Sequence, residues 1–143
     1  MGQANHLSFY KGDVTLEEYR FCEKCGLNQN VERHHIVFKG QGGLDFPLNY
    51  KNLCKEHHHG NLGPHNNRKI DLEYKRELQA KLKNKLTKEY YNESELVKLL
   101  ELGKTQAKKI CKKFPLYKEG YKKEDIIRRI MGGRIYELDS GRI

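Results

Sequence analysis

The chain has 143 residues, 36% of them hydrophobic, with 28 Lys and Arg against 19 Asp and Glu and a net charge of +9. That length suits one ordinary domain or two very small ones, and the lean apolar fraction argues against one large core and for a staple such as a structural metal. The charge points to a polyanionic partner; no stretch is apolar enough to span a bilayer and none reads as a signal peptide, so a cytoplasmic setting is expected, where the four cysteines stay reduced rather than forming a disulfide framework.

Residues 1–20 carry little pattern and read as a lead-in. Residues 21–68 hold three of the four cysteines and six of the seven histidines, among frequent Gly and Asn, and read as short strands and loops. From about Ile70 to Tyr90 the recurrence of Leu72, Leu78, Leu82 and Leu86 predicts a helix, with Asn66 or Asn67 as its cap. A helix capped at Ser94 follows, with Leu96, Val97, Leu99 and Leu100 as its apolar face, and Gly103 breaks it. A second is predicted over 104–114, stopped by Pro115. A third starts near Lys123, turns Ile126, Ile127 and Ile130 inward, and ends at Gly132-Gly133.

Cys22-Glu-Lys-Cys25 is a CxxC knuckle, and Cys54-Lys-Glu-His57 is a CxxH knuckle later in the chain. A two-residue spacer lets a tight turn aim both ligands at one ion, and two such pairs supply the four ligands of tetrahedral structural zinc. His58 and His59, adjacent to His57, are competing choices for the fourth ligand. A redox role for the CxxC lacks the βαβ context it requires.

Between the knuckles runs Glu32-Arg33-His34-His35-Ile36-Val37, then Asn49 fourteen residues after His35, then His58 nine residues further on. With CEKCG, ERHHIV and GGLDFPLNYKNLCKEHHH in this order, residues 21–68 resemble the HNH endonuclease family. The resemblance implies a ββα-metal core in which two short strands and a helix hold one catalytic divalent metal, Mg²⁺, Mn²⁺ or another transition metal. It implies that His34 and His58 ligate that metal, that His35 is the general base, and that Asn49 ties down the loop and helps orient the base. Asn52 is the alternative to Asn49, at a poorer spacing. His65 matches a further metal ligand of some members, but Gly60-Asn-Leu-Gly-Pro64 departs from a simple continuation of helix, which leaves phosphate binding as its other role. The implied products carry 5′-phosphate and 3′-hydroxyl ends.

The C-terminal pattern, residues 92–143, is similar to helix-turn-helix modules of excisionase and regulator type. It makes 104–114 the recognition helix, with Thr105, Gln106, Lys108, Lys109, Lys112 and Lys113 toward DNA: Gln reads adenine, Thr meets a thymine methyl and Lys meets phosphate. Tyr117, Lys118, Tyr121 and Lys122 would form a small wing, and Cys111 a buried core thiol. The expected class is therefore α+β, a small zinc-stabilised HNH core at 21–90 followed by a helical module at 92–143. The expected function is metal-dependent cleavage of DNA phosphodiesters, as in the small nucleases of phages and mobile elements. A non-catalytic zinc-stabilised DNA-binding regulator is the alternative, and an RNA-directed nuclease the third reading. Cutting both strands from one active site would take a homodimer or two successive nicks.

Overall fold

A computed structural model describes residues 20–136, so the predicted lead-in, apart from Arg20, lies outside the described residues, as does 137–143 of the C-terminal segment. The fold is mixed α+β with two small antiparallel sheets. β1 (Val31–His35) pairs with β2 (Tyr50–Cys54) in a register that sets Val31 opposite Cys54 and His35 opposite Tyr50. Side chains alternate across a strand; accordingly His34 is buried while His35 is only half-buried. α1 (Lys55–His59) follows β2 without a break.

α2 (Arg68–Lys85) begins at Asn67, whose side-chain oxygen accepts the Ile70 N–H at 3.2 Å and so satisfies one of the orphan donors of the first turn. Tyr74, Leu78 and Leu82 return to one face every three or four residues and are buried, with Leu86 just beyond the helix end. Burying each leucine side chain contributes roughly 2 kcal/mol. The helix is shorter than predicted because Tyr90 and Tyr91 are taken into a strand, β3 (Tyr90–Tyr91), that pairs with β4 (Tyr121–Lys122).

α3 (Glu93–Leu100) is capped by Asn92, not Ser94. Asn92 and Glu95 exchange side-chain-to-backbone bonds at 2.8 Å in both directions, a capping box. α4 (Lys104–Cys111) stops three residues short of Phe114, and α5 (Lys123–Ile130) buries Ile126, Ile127 and Ile130 as expected. The expected wing is a bridge between Tyr117 and Gly120 leading into β4.

The composition argues against one large core, yet a single cluster of buried apolar side chains runs from Cys22 through Phe46, Leu78 and Leu96 to Ile130 and Tyr136. α2 packs against the turn at Pro47–Asn49 and against α5, so one helix joins the hairpin side of this cluster to the C-terminal helices. Its Gln79 amide donates to the Tyr136 carbonyl at 2.7 Å and accepts the Tyr136 N–H at 2.7 Å. Among the described residues, no helix is long and apolar enough to cross a membrane.

Candidate metal centres

The two cysteine knuckles meet. Cys22, Cys25, Cys54 and His57 place their ligand atoms within 4.8 Å of one another, a group that can hold a metal ion. Cys25 Sγ lies 3.8 Å from Cys54 Sγ, and His57 Nδ1 lies 3.3 Å from Cys54 Sγ and 3.8 Å from Cys22 Sγ. Zn–S bonds of about 2.3 Å at the tetrahedral angle give an S···S edge of about 3.8 Å, and Zn–N of about 2.0 Å gives an S···N edge of about 3.5 Å. The donor set and its edges fit zinc. A tight turn presents the first pair: Gly26 N–H donates to Cys22 O at 2.8 Å with Gly26 at φ 78°, a left-handed turn position. Glu23 N–H donates to Asn52 O at 2.9 Å, and Glu23 Oε2 accepts the Asn52 N–H at 2.8 Å, which fastens this knuckle to β2. Burial raises the Cys22 thiol, but backbone donors at Cys54, Lys24 and Cys25 outweigh it and bring the pKa down to about 6, which favours the thiolate a metal needs.

His57 and His58 are successive residues of α1, so their side chains diverge by about 100° around the helix axis. His57 joins the cysteines and His58 joins a second group, His34, His58 and His65, again within 4.8 Å. His34 Nδ1 is 3.1 Å from His58 Nε2, and His65 Nε2 is 3.0 Å from the same atom. Metal–N bonds of about 2.0–2.1 Å give N···N edges of about 2.9 Å at right angles and about 3.3 Å at the tetrahedral angle, so these three nitrogens fit the edges of one coordination sphere. Burial, reinforced by His58, His65 and Lys75, pushes the His34 pKa down to about 3, which leaves a neutral imidazole with a free lone pair. Its other nitrogen, Nε2, is buried with no hydrogen-bond partner among the described residues.

His65 reaches the group because the chain reverses after α1. Gly63 packs so close to His58 that a Cβ there would stand 2.3 Å from the His58 carbonyl oxygen, and the Asn66 amide donates to the His59 carbonyl. The segment 60–64 is thus the device that delivers His65. His59, the other competitor for the zinc frame, lies with Glu32 and His58 instead, and its ring stacks on His65 at 4.9 Å.

Two carboxylates back this site, and the sequence reading singles out neither of them. His58 Nδ1 donates to Glu32 Oε1 at 2.6 Å, which fixes the tautomer that leaves Nε2 free for a metal. His35 Nε2 donates to Asp45 Oδ1 at 2.7 Å, while Tyr50 Oη donates to the same oxygen at 3.3 Å and Lys39 Nζ lies 3.2 Å from Oδ2. The hydrogen bond from His35, and then Lys39, hold the Asp45 carboxyl below the usual range. Asn49 is fully buried and ties the β1–β2 loop: its Oδ1 accepts the Val37 N–H at 2.8 Å and its Nδ2 donates to the carbonyls of Leu44 at 2.9 Å and Val37 at 3.2 Å. Its link to His35 is through the backbone, Ile36 N–H to Asn49 O at 2.8 Å, and the side-chain partner of the His35 ring is Asp45. Asn52 lies on β2, where its backbone meets Glu23.

An open cavity of about 210 Å³ is lined by His34, His35, His58 and His65 together with Arg33 and Lys39. A larger depression of about 390 Å³ takes Cys54 and His59 from two different ligand groups and completes neither. The convergent imidazoles make the smaller cavity the chemical one.

On α4, Thr105, Lys108, Lys109, Lys112 and Lys113 at or just beyond its end are exposed, away from buried Ala107, Ile110 and Cys111. Gln106 turns toward the β1–β2 loop: the Asp45 backbone takes one donor and one acceptor of its amide, at 3.1 and 3.0 Å, the pair a bidentate contact with adenine would use. Comparison of the chain with protein-family models, with curated proteins and with solved structures finds no match.

Proposed function

We propose that the protein is a metal-dependent endonuclease of HNH type that hydrolyses DNA phosphodiester bonds, with His35 as general base. The observation that carries this reading is the shared cavity. Three imidazole nitrogens converge at 3.0–3.1 Å on one side of it, and a fourth imidazole, backed by a carboxylate at 2.7 Å, lies on the adjoining strand residue.

His34, His58 and His65 would hold the divalent ion, which when bound neutralises phosphate charge and stabilises the leaving oxygen. Asp45 accepts a hydrogen bond from His35 Nε2–H and so leaves Nδ1 as the basic nitrogen, able to take a proton from water. Arg33 and Lys39 line the same cavity and supply cations for the flanking phosphates. The Cys22, Cys25, Cys54, His57 centre, with zinc as its ion, stiffens the hairpin and helix that carry these groups. The exposed lysines of α4 and the net charge of +9 supply the sequence-independent attraction to DNA.

Cleavage of supercoiled plasmid by the wild type and by His35→Ala, with Mg²⁺, Mn²⁺ or EDTA, tests the reading. The expected result is metal-dependent nicking or linearisation by the wild type and a loss of about 10²–10⁴-fold in the variant, the usual worth of a general base. Binding of duplex DNA by both proteins with cleavage by neither, across duplex, single-stranded and structured RNA substrates, would replace it with the DNA-binding regulator.

A further inference from the structure

The loop between β1 and β2 is held in place by the C-terminal helices. From the first turn of α4, Gln106 grips the Asp45 backbone on both sides: its Oε1 accepts the Asp45 N–H at 3.0 Å, and its Nε2 donates to the Asp45 carbonyl at 3.1 Å. From α5, Arg129 Nη1 donates to the Gly42 carbonyl at 2.9 Å. Just past α5, Gly132 lies so close that a Cβ there would stand 2.6 Å from the Gln41 carbonyl oxygen. The loop is thereby pinned at 41–42 and again at 45.

The second pin matters most for chemistry. The Asp45 side chain is 52% exposed, so burial does not set its position. It nevertheless meets His35 Nε2, Tyr50 Oη and Lys39 Nζ at the distances given above. A surface carboxylate free to rotate loses such contacts to water. The paired bonds to its own backbone fix where its Cα stands beside the His35 ring, which keeps the carboxylate within reach of Nε2.

We propose that Gln106 is a positioning residue for His35, acting through Asp45 to hold the imidazole in one tautomer and one orientation. This rests on the nuclease reading and adds to it the route by which α4 reaches the base. The helix that carries the exposed lysines is then two hydrogen-bonded steps from the ring that takes the proton. Removing or displacing α4 therefore disturbs chemistry as well as affinity.

The test is Gln106→Met, which keeps the length and packing of the side chain and removes its amide. On plasmid DNA, kcat falls roughly tenfold to a hundredfold, as expected for a misplaced reacting group, while KM and DNA affinity stay within about twofold. In an Asp45→Ala background the same change costs nothing further, since both act through one contact. If Gln106→Met does not fold, Gln106→Glu, which sets a carboxylate oxygen against the Asp45 carbonyl, takes its place. Unchanged kcat, or losses that add to those of Asp45→Ala, would overturn the proposal. Long-range ¹H–¹⁵N spectra of the His35 ring read the same ordering without substrate: a single Nε2–H tautomer in the wild type and a mixture in the variant. An unchanged tautomer defeats the Gln106 inference and leaves the nuclease reading standing. A wild type that cuts nothing while its His35 tautomer responds to Gln106 defeats the nuclease reading alone.

Discussion

Two of the ligand groups draw part of their donors from the same hairpin and helix, and they differ in closure. The Cys22, Cys25, Cys54, His57 group has four donors within 4.8 Å of one another, three of their separations close to tetrahedral edges, and four donors complete a tetrahedral ion without a further ligand. The His34, His58, His65 group has three donors facing a cavity of about 210 Å³, which leaves room for solvent or substrate. Their separation depends on one helical step, His57 to His58 in α1, and their surroundings differ accordingly. Backbone amides lower the Cys22 thiol, as a structural thiolate needs, whereas carboxylates stand behind His58 and, next to the site, behind His35. One frame therefore carries a group whose donors enclose one position and a group that leaves room beside it.

Cys54→Ala should have the largest effect, because it reaches both groups. Cys54 ends β2 and begins α1, so its loss opens the closed centre and frees the helix that carries both His57 and His58. Structural zinc contributes on the order of 10 kcal/mol to folding small domains, so the variant is expected to be unfolded by far-UV circular dichroism and to lose bound metal. A folded variant with its full metal content would show that the closed group is not a structural centre.

His58→Ala should break only the open centre. The expected outcome is cleavage below detection and loss of one metal equivalent by elemental analysis, with the cysteine-bound metal retained. Loss of both metals together would mean that the centres are not independent.

Glu32→Gln is a finer probe. It leaves every ligand in place and weakens the acceptor of the His58 Nδ1–H, now at 2.6 Å. Outer-shell partners of this kind typically change metal affinity by about 10–100-fold, which titration calorimetry at the open centre would read; equal affinity in the two proteins would make Glu32 a bystander.

The smallest effect concerns Cys111, the one cysteine outside both groups. Burial pushes its thiol up to about 11, so the reactive thiolate is scarce at pH 8 and appears only as the pH rises toward that value. With metal bound and the protein folded, iodoacetamide at pH 8 should leave Cys111 unlabelled, and unfolding in guanidinium should open it to the reagent. Rapid labelling of Cys111 would contradict its place in the core.

The residue groups that could hold a metal were legible because metal chemistry restricts residue type and spacing. CxxC, CxxH and the His pair are short-range patterns, and a two-residue spacer has few ways to present both ends. The helices were legible for a similar reason: Leu78, Leu82, Ile126 and Ile130 repeat at the helical period and are buried where it places them. β3 and β4 were missed because a two-residue strand has no period to detect, and their pairing joins positions thirty residues apart. Asp45, Glu32 and the clamp by Gln106 were missed because each becomes functional only through a partner distant in sequence.

Local physics, then, already contained the ligand types, their grouping into two sets, the helical periods and the charge excess, since each depends on neighbours a few residues away. Tertiary structure alone decided that the reversal at Gly63 brings His65 beside His34 and His58, and that Gln106 turns inward to Asp45 rather than out to a partner. Those outcomes depend on where β1, α1 and α4 come to rest against one another, and packing among distant elements leaves no periodic trace in a single chain.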